Sequence, residues 1–418
     1  MKLAVIGAGW AGLACAVEAT RLGHAVTLFE AAPTPGGRAR RVDHMHGMAL
    51  DNGQHILIGA YTATLKLMRD VGVDVENALL RLPLSLRFAD GGGLKLPRLP
   101  APLDLLVGIL TANGWTWRDK SSLLRTAVRW RLAGFRCAER TTVADLCTGL
   151  TPRVMQELIE PLCVSALNTP VAQSSGQVFL RVLNDALFSG SGGADLLLPR
   201  ADLGALLPDA AVRWLTAHGA AVHIGHRVRA MAPDAGKWRV DDEVFDQVVL
   251  ACAPWDAARL VRASGLPAGA WCATTEALRF EAIATVYVRG ASPLAEPMLA
   301  LRSDPATAPA QFAFDKGRLG GLHGVLAMVV SANETSRELL EEQVLAQAAA
   351  QLGQANLQVV QTVVERRATF ACTPALARPP SAIAPGLLAC GDYTEGPYPA
   401  TLEGAVLSGL AAAKASTP

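Results

Sequence analysis

The sequence predicts an α/β fold: a Rossmann-like parallel sheet interleaved with a second part of mixed antiparallel sheet and helices. Three observations predict it. An apolar strand, Lys2 to Gly7, runs directly into Gly7-Ala8-Gly9-Trp10-Ala11-Gly12 and then into an alanine-rich helix, Leu13 to Leu22. A second apolar run, Ala25 to Phe29, ends on Glu30, eighteen residues past Gly12. Far down the chain, Gly386 to Asp392 gives a short strand that ends in Gly391-Asp392. It feeds a helix that begins near Ala400-Thr401 and runs to about Ala413.

Strand, glycines, helix, second strand and terminal acid form the βαβ pattern of dinucleotide sites. Gly7 permits the tight turn, Gly9 lets the backbone approach a pyrophosphate, and Gly12 lets helix and strand pack closely. Trp10 and Ala11 lie between the glycines ahead of the helix, whose free N–H groups and positive dipole end face phosphate charge. Glu30 is placed to accept hydrogen bonds from an adenosine ribose. A glycine triplet alone also marks ordinary turns; here the strand, the helix and the spaced acid accompany it, and together they point to an ADP-containing cofactor.

The next loop narrows the choice. Pro35-Gly36-Gly37-Arg38 follows Glu30 closely. A nicotinamide enzyme has no need of a glycine pair and a basic cluster here. FAD, bound extended, requires a second loop close to its pyrophosphate and ribityl chain; Gly36 and Gly37 allow that approach, and Arg38 pairs with a phosphate or fixes the loop. The stretch Asp51 to Tyr61 reads as a loop entering a helix from Tyr61, and in an FAD fold it reaches the isoalloxazine ring. His55 within it reads either as a proton donor or as a satisfied buried histidine that shapes the loop. At the far end Asp392 is placed for a ribityl hydroxyl. The new helix N-terminus, at Thr401 and Leu402, stabilises negative charge on the reduced flavin.

Between these ends, Pro199 to Leu260 returns to α/β patterning. A helix is predicted over Leu203–His218, then Ala220–Ile224, Arg227–Ala230, a polar hairpin at 238–242 and a strand from Val248. This piece covers the adenine side, where Val228 offers its backbone N–H and C=O to the base. This α/β patterning covers residues 1–78, 199–260 and 371–418, and the resemblance of its glycine motifs to FAD enzymes implies one discontinuous FAD-binding domain of the glutathione-reductase type.

Residues 79–198 and 261–370 are assigned to a substrate-binding domain. Gly91-Gly92-Gly93 marks a hairpin, and helical patterns follow at Leu103–Leu110, Ser121–Ala133, Val143–Leu146, Pro152–Leu167 and Gln177–Leu187. The later piece alternates as an antiparallel sheet (Ala282–Val288, Gly324–Val330, Val359–Arg367) with one covering helix, Glu338–Leu352. Residues 97–132 set Trp115, Trp117 and several leucines beside Arg118, Lys120, Arg125, Arg129 and Arg131. Two readings stand open and are compatible: a bilayer interface, or a helical cap packed on the substrate cavity.

Composition bounds the function. The 418 residues carry a net charge of only +1, which removes any electrostatic case for nucleic acid. They are 51% hydrophobic and 18% charged, an apolar balance that asks for large cores, a greasy substrate or a membrane surface. The chain opens on its first strand, so no signal peptide is expected, and no run of about 18 uncharged apolar residues predicts a spanning helix. The eight cysteines form no C-x-x-C pair, as expected of buried thiols in a reducing cytoplasm rather than of disulfides or a metal site.

Taken together, Gly7–Gly12, Gly36-Gly37-Arg38 and Gly391-Asp392 resemble the amine oxidase and phytoene desaturase superfamily of FAD enzymes. Within it, Asp51-Asn52-Gly53-Gln54-His55 with Ile58-Gly59-Ala60-Tyr61, and Tyr398-Pro399-Ala400-Thr401-Leu402-Glu403-Gly404-Ala405, resemble the hydroxysqualene dehydroxylase family, also called squalene-associated FAD-dependent desaturases of hopanoid synthesis. The likeness spans nearly the whole chain. It implies reduction of an allylic C30 alcohol, hydroxysqualene, to squalene, with hydride from N5 of FADH2. It also implies an electron donor such as NAD(P)H or a reductase. No segment matches a covalent flavin attachment, so noncovalent FAD is expected.

Hydroxide is a poor leaving group, so such a reaction needs an acid at the oxygen and a dry pocket for the developing allylic cation. Asp51, His55, Tyr398 and Glu403, all in loops expected beside the ring, are the candidate acids, with Asp51 or His55 first. The implied substrate travels in a bilayer, so a cytoplasmic protein peripheral on the inner face of the membrane is expected. The competing readings are a carotenoid (phytoene-type) desaturase or flavin amine oxidase, which run the flavin in the oxidising direction, and a noncatalytic FAD- or isoprenoid-binding protein.

Overall fold

The structure, a computed structural model, describes residues 1–42, 50–188, 190, 192–332 and 335–416. Strand β1 (Lys2–Ile6) is buried at every position after Lys2. Helix α1 (Trp10–Arg21) starts at Trp10, ahead of the alanine-rich run, because Gly9 is already extended at φ −72°, ψ 175° and serves as its N-cap. Then come β2 (Ala25–Glu30) and α2 (Thr62–Asp70). The hairpin expected at the triple glycine joins Ser85–Arg87 to Gly93–Lys95. Helices α3 (Leu103–Thr111) and α4 (Trp117–Leu132) follow, the second opened by a capping box between Thr116 and Asp119.

The helix predicted over 152–167 is present, with a π-helical turn at Met155–Ile159 in its middle. Helix α5 (Gly176–Phe188) follows it. The single helix predicted over 203–218 is two: Leu203–Leu206, then α6 (Pro208–Ala217). Pro208 bars the preceding residue from helical geometry, and Leu207 sits at φ −147°. Strands β3 (Ala221–Ile224) and β4 (Gln247–Leu250) lead to a helical pair, Pro254–Ala263 and Gly269–Glu276, where the sequence showed no separate helices.

Then come β5 (Phe280–Arg289), β6 (Met298–Ala300), β7 (Phe312–Asp315), β8 (Val325–Ser331), α7 (Arg337–Leu352) and β9 (Gln358–Phe370). The chain closes with β10 (Ala382–Ala384), β11 (Leu387–Ala389) and α8 (Leu402–Ala415). β6 and β7 escape sequence reading because three or four residues are too few to show a period of two.

Two sheets organise the molecule. One runs β3-β2-β1-β4-β11-β10, parallel except for β10, with Val5 paired to Leu28 on one side and Val249 on the other. The other runs β6-β7-β8-β5-β9, all antiparallel, with α7 packed on one face through Leu340, Val344 and Ala348. A ribbon of Leu57–Ile58, Leu196–Pro199 and Leu79–Leu82 lies between the early and middle segments. Among the described residues no helix is long and apolar enough to cross a membrane.

Helices α1 and α8 pack through small residues. A Cβ placed on Gly409 would lie 2.1 Å from the Ala11 carbonyl oxygen and 3.0 Å from the Cys15 nitrogen. Backbone meets backbone there, and nothing flexible can yield. Gly409→Ala is therefore expected to cost about 1–3 kcal/mol of stability by overpacking, read as a lower melting temperature. An unchanged midpoint would mean that the two helices are farther apart than described.

Candidate active site

The carboxyl ends of β1, β2, β4 and β11 open on one continuous cavity of about 780 Å³. This is where open parallel sheets bind ligands. At one end its wall is backbone and charge: Gly7, Gly9, Glu30, Gly37, Arg38 and Asp392. At the other it is hydrocarbon, with Leu86, Ile109, Trp130, Phe179, Leu183 and Phe312 among the lining groups. His55, Asn52, Glu365, Asp185 and Tyr398 also line it. Of the site residues expected from sequence, all but Gly12 and Asp51 reach this wall.

The glycines divide by job. A Cβ on Gly12 would fall 1.9 Å from the Gly7 carbonyl oxygen, so Gly12 is required by the fold. Gly9 is different: its backbone is ordinary, and the nearest atom to an added Cβ is the Gly37 Cα at 4.0 Å. Among the described residues nothing demands a glycine there. The bare backbone leaves a cradle between Gly9 and Gly37 at the start of α1, which has no side-chain cap and no acid in its first turn. That is the arrangement a pyrophosphate needs.

Around the cradle, Trp10 donates its indole N–H to the Ala39 carbonyl at 3.0 Å, and the Gly36 N–H reaches the Ala8 carbonyl at 2.8 Å. The Glu30 carboxylate accepts the Ala8 and Ala32 N–H groups, both at 2.7 Å. Each of its oxygens keeps a further lone pair for a ribose hydroxyl. Val228 lines the same end, and its backbone is not tied into any sheet ladder. The residues fit the ADP half of FAD.

In the same polar wall, Arg38 forms an ion pair with Asp392 and donates to the Ala368 carbonyl at 2.7 Å. Asn52 donates to the Arg38 carbonyl at 2.8 Å and to Glu365 at 3.0 Å. Gly391 N–H is held by Ser408 Oγ at 2.9 Å, and Thr401 caps α8 by accepting the Gly404 N–H at 2.9 Å. Thr401 and Leu402 therefore bring the N-terminus of α8, like that of α1, to the cavity wall.

The four candidate acids fare differently. Asp51 lies behind the wall, 4% exposed. Its carboxylate accepts the Leu203 N–H at 2.8 Å and its carbonyl accepts the Tyr287 hydroxyl at 3.1 Å. Lys316 Nζ stands 3.9 Å away. Burial pushes the Asp51 carboxyl up to about 6, against the pull of the Leu203 N–H and Lys316. Glu403 is engaged as a remote cap of α2, accepting Ala63 N–H and Thr64 N–H at 2.9 Å and the Thr64 hydroxyl at 2.6 Å.

His55 lines the cavity with Nδ1 3.3 Å from the Gly53 carbonyl, and burial lowers its pKa so the neutral ring prevails near pH 7. Tyr398 donates its hydroxyl to Asp185 at 2.8 Å, and burial together with that carboxylate pushes the phenol up to about 12. Asp185, on α5, was not foreseen. The one sequence signal for it is the polar pair Asn184-Asp185 in the mainly apolar second half of that helix.

Comparison with known proteins agrees with this fold. The family model described as flavin containing amine oxidoreductase matches residues 10–415. A hydroxysqualene dehydroxylase of Rhodopseudomonas palustris is 29% identical over 98% of this chain and 96% of its own length. One of Sinorhizobium fredii is 27% identical over the same shares. Among solved structures, a triple mutant of putrescine oxidase superposes with a TM-score of 0.73 at 16% identity, covering 99% of this chain and 98% of that one.

Two outcomes follow from the site. Gly9→Ala is expected to cost the fold at most about 1 kcal/mol as a poorer helix cap yet weaken FAD retention about tenfold or more, an affinity loss of ~1.4 kcal/mol. Gly12→Ala should lower stability itself. Equal FAD affinity in Gly9→Ala and wild type would mean the cradle is not the phosphate site.

For Asp51, the folded-state pKa lies above the ordinary one. Its protonated form is the stabilising one, and that contribution is lost as pH rises from 3.8 towards about 6. Asp51→Asn keeps the acceptor for Leu203 but cannot ionise. Its melting temperature should gain on wild type across that interval, measured by thermal melts at successive pH values; a constant difference would contradict the buried placement.

Proposed function

Since the chain belongs to the flavin containing amine oxidoreductase family and is an FAD-dependent oxidoreductase, we propose that it reduces hydroxysqualene to squalene. One observation carries this reading: the two relatives named hydroxysqualene dehydroxylase match end to end, over a chain whose cofactor cradle opens into a hydrocarbon-lined chamber. Bound FAD, once reduced, supplies the hydride that replaces the hydroxyl. Electrons come from an external donor such as NAD(P)H or a reductase, and FAD is held noncovalently by the cradle backbone, Glu30, Arg38 and Asp392.

The rest of the work falls to the chain's own side chains. The apolar wall takes up the C30 chain, each buried methylene contributing up to ~0.8 kcal/mol, and keeps water from the reacting carbon. A proton must reach the departing oxygen. Asp51 is behind the wall and Glu403 is engaged as a cap, so we assign that task to Tyr398, held by Asp185, its O–H turning from that carboxylate to the departing oxygen. The phenol keeps its proton at neutral pH, being pushed up to about 12. A departing hydroxide is still the stronger base, since water ionises at about 15.7. His55 stays neutral and shapes the loop. In this reading the protein is cytoplasmic and meets its substrate at the inner face of a membrane.

Anaerobic mixing of the pre-reduced holoprotein with hydroxysqualene should give squalene and oxidised flavin in equal amounts. No flavin reoxidation with hydroxysqualene, together with flavin reduction by a carotene or an amine, would assign the chain to the oxidising branch instead. Tyr398→Phe and Asp185→Asn should each slow the reoxidation by about 10²–10⁴-fold, as expected for loss of a general acid, while FAD still binds. Full rates in both would return the proton to another group.

A further inference from the structure

Helices α3 and α4 each carry two apolar faces. Leu105 and Ile109 of α3, with Leu123, Ala127 and Trp130 of α4, line the cavity. On their outer sides Leu103, Leu106 and Leu110, then Trp117, Val128 and Leu132, stand in solvent, with Trp117 at 74% and Leu132 at 85% exposure. Leu103, Leu106 and Leu110 fall at i, i+3 and i+7, one face of a helix. Of the twelve exposed large hydrophobic side chains among the described residues, seven lie between Leu99 and Leu132. Scattered exposed leucines need no explanation; a concentration of this kind does.

Charge says what covers the face. Residues 97–132 carry six Lys or Arg against two Asp, in a chain of net charge +1, so the rest of the molecule is net negative. Of the two acids, Asp119 is buried in the cap of α4. None of the six cations is in an ion pair among the described residues. Lys120 donates to the Leu110 carbonyl and lies 5.6 Å over the Trp117 ring, and Arg125 and Arg129 donate only to carbonyls. A second copy seated on this face by a twofold axis would set these unpaired cations against one another. A sheet of anionic headgroups over hydrocarbon meets both the leucines and the charge.

We propose that the outer face of α3 and α4 docks on an anionic lipid bilayer, so that the cavity's hydrocarbon end is one helix away from acyl chains. This rests on the proposed function only for what crosses that wall. The leucines and Trp117 enter the acyl boundary, and Arg118, Arg125 and Arg131 engage lipid phosphates. The inner faces of the same two helices remain the wall of the apolar chamber.

The test uses FAD-loaded protein and vesicles without substrate, so its failure is separable from failure of the proposed reaction. Vesicles of phosphatidylcholine mixed with phosphatidylglycerol should bind about tenfold or more tighter than phosphatidylcholine alone, a difference that high salt removes. The pair Leu106→Glu and Leu132→Glu, with FAD content and circular dichroism unchanged, should abolish binding. Brominated acyl chains should quench fluorescence in wild type and not in Trp117→Phe, a readout that survives even if the leucine variant misfolds. Absence of vesicle binding, binding indifferent to lipid charge, or a dimer that the leucine pair dissociates would each overturn the proposal.

Discussion

The ion pair between Arg38 and Asp392 joins parts of the chain 354 residues apart, and the site depends on it. A guanidinium and a carboxylate in the wall of a partly apolar cavity are tolerable only when paired and hydrogen-bonded. Here the pairing is extended by Asn52, which touches both the Arg38 carbonyl and Glu365, and by the Ala368 carbonyl. Four segments therefore converge: the Gly36–Arg38 loop, the Asp51–His55 loop, the end of β9 and the turn after β11. Each belongs to a different stretch of sequence. Their meeting is what turns the edge of a parallel sheet into an enclosed site.

Around that junction the helices are held by unusually small residues. α1 and α8 approach until the Gly409 Cα faces the Ala11 carbonyl, which leaves both N-termini directed at the same cavity. Two helix N-termini supply positive potential without any side chain that could titrate or move. This suits a ligand that carries phosphates at one end and gains negative charge on reduction at the other. Glu403 fixes the relative position of α8 and α2 by capping the latter, so the cavity wall inherits the rigidity of helix packing rather than of loops.

The cofactor half of the site was legible in the sequence because its signals are local. Gly7 to Gly12, Gly36-Gly37 and Gly391-Asp392 are requirements of backbone geometry over a few residues, and a strand or helix on either side makes them interpretable. The acids were not legible in the same way. Asp51 and Glu403 have the residue type and loop position of a catalytic carboxylate, but each is engaged by the start of another helix, 152 and 339 residues away. A carboxylate that caps a remote helix and one that donates a proton look alike in sequence. Asp185 had the opposite fault: it sits within a helix, where a polar residue reads as solvated surface, and only the fold places Tyr398 against it. β6 and β7 were hidden for another reason: at three and four residues they are too short to show a period of two.

The high apolar content now resolves into separate duties: the two sheets' cores, a chamber wall, and an exposed helical face. These duties differ in what they can decide. A hydrocarbon wall binds long chains strongly but discriminates among them poorly, because one methylene more or less changes binding by only about 1–3 kcal/mol. Polar groups placed to meet a particular oxygen discriminate far better, since the wrong ligand leaves them buried and unpaired. Under the proposed function, selectivity for an alcohol over a plain polyene must therefore arise where the chamber meets the polar junction. Tyr398 and Asp185, a hydroxyl and a carboxylate paired on the cavity wall, keep lone pairs that an alcohol can meet and a hydrocarbon cannot.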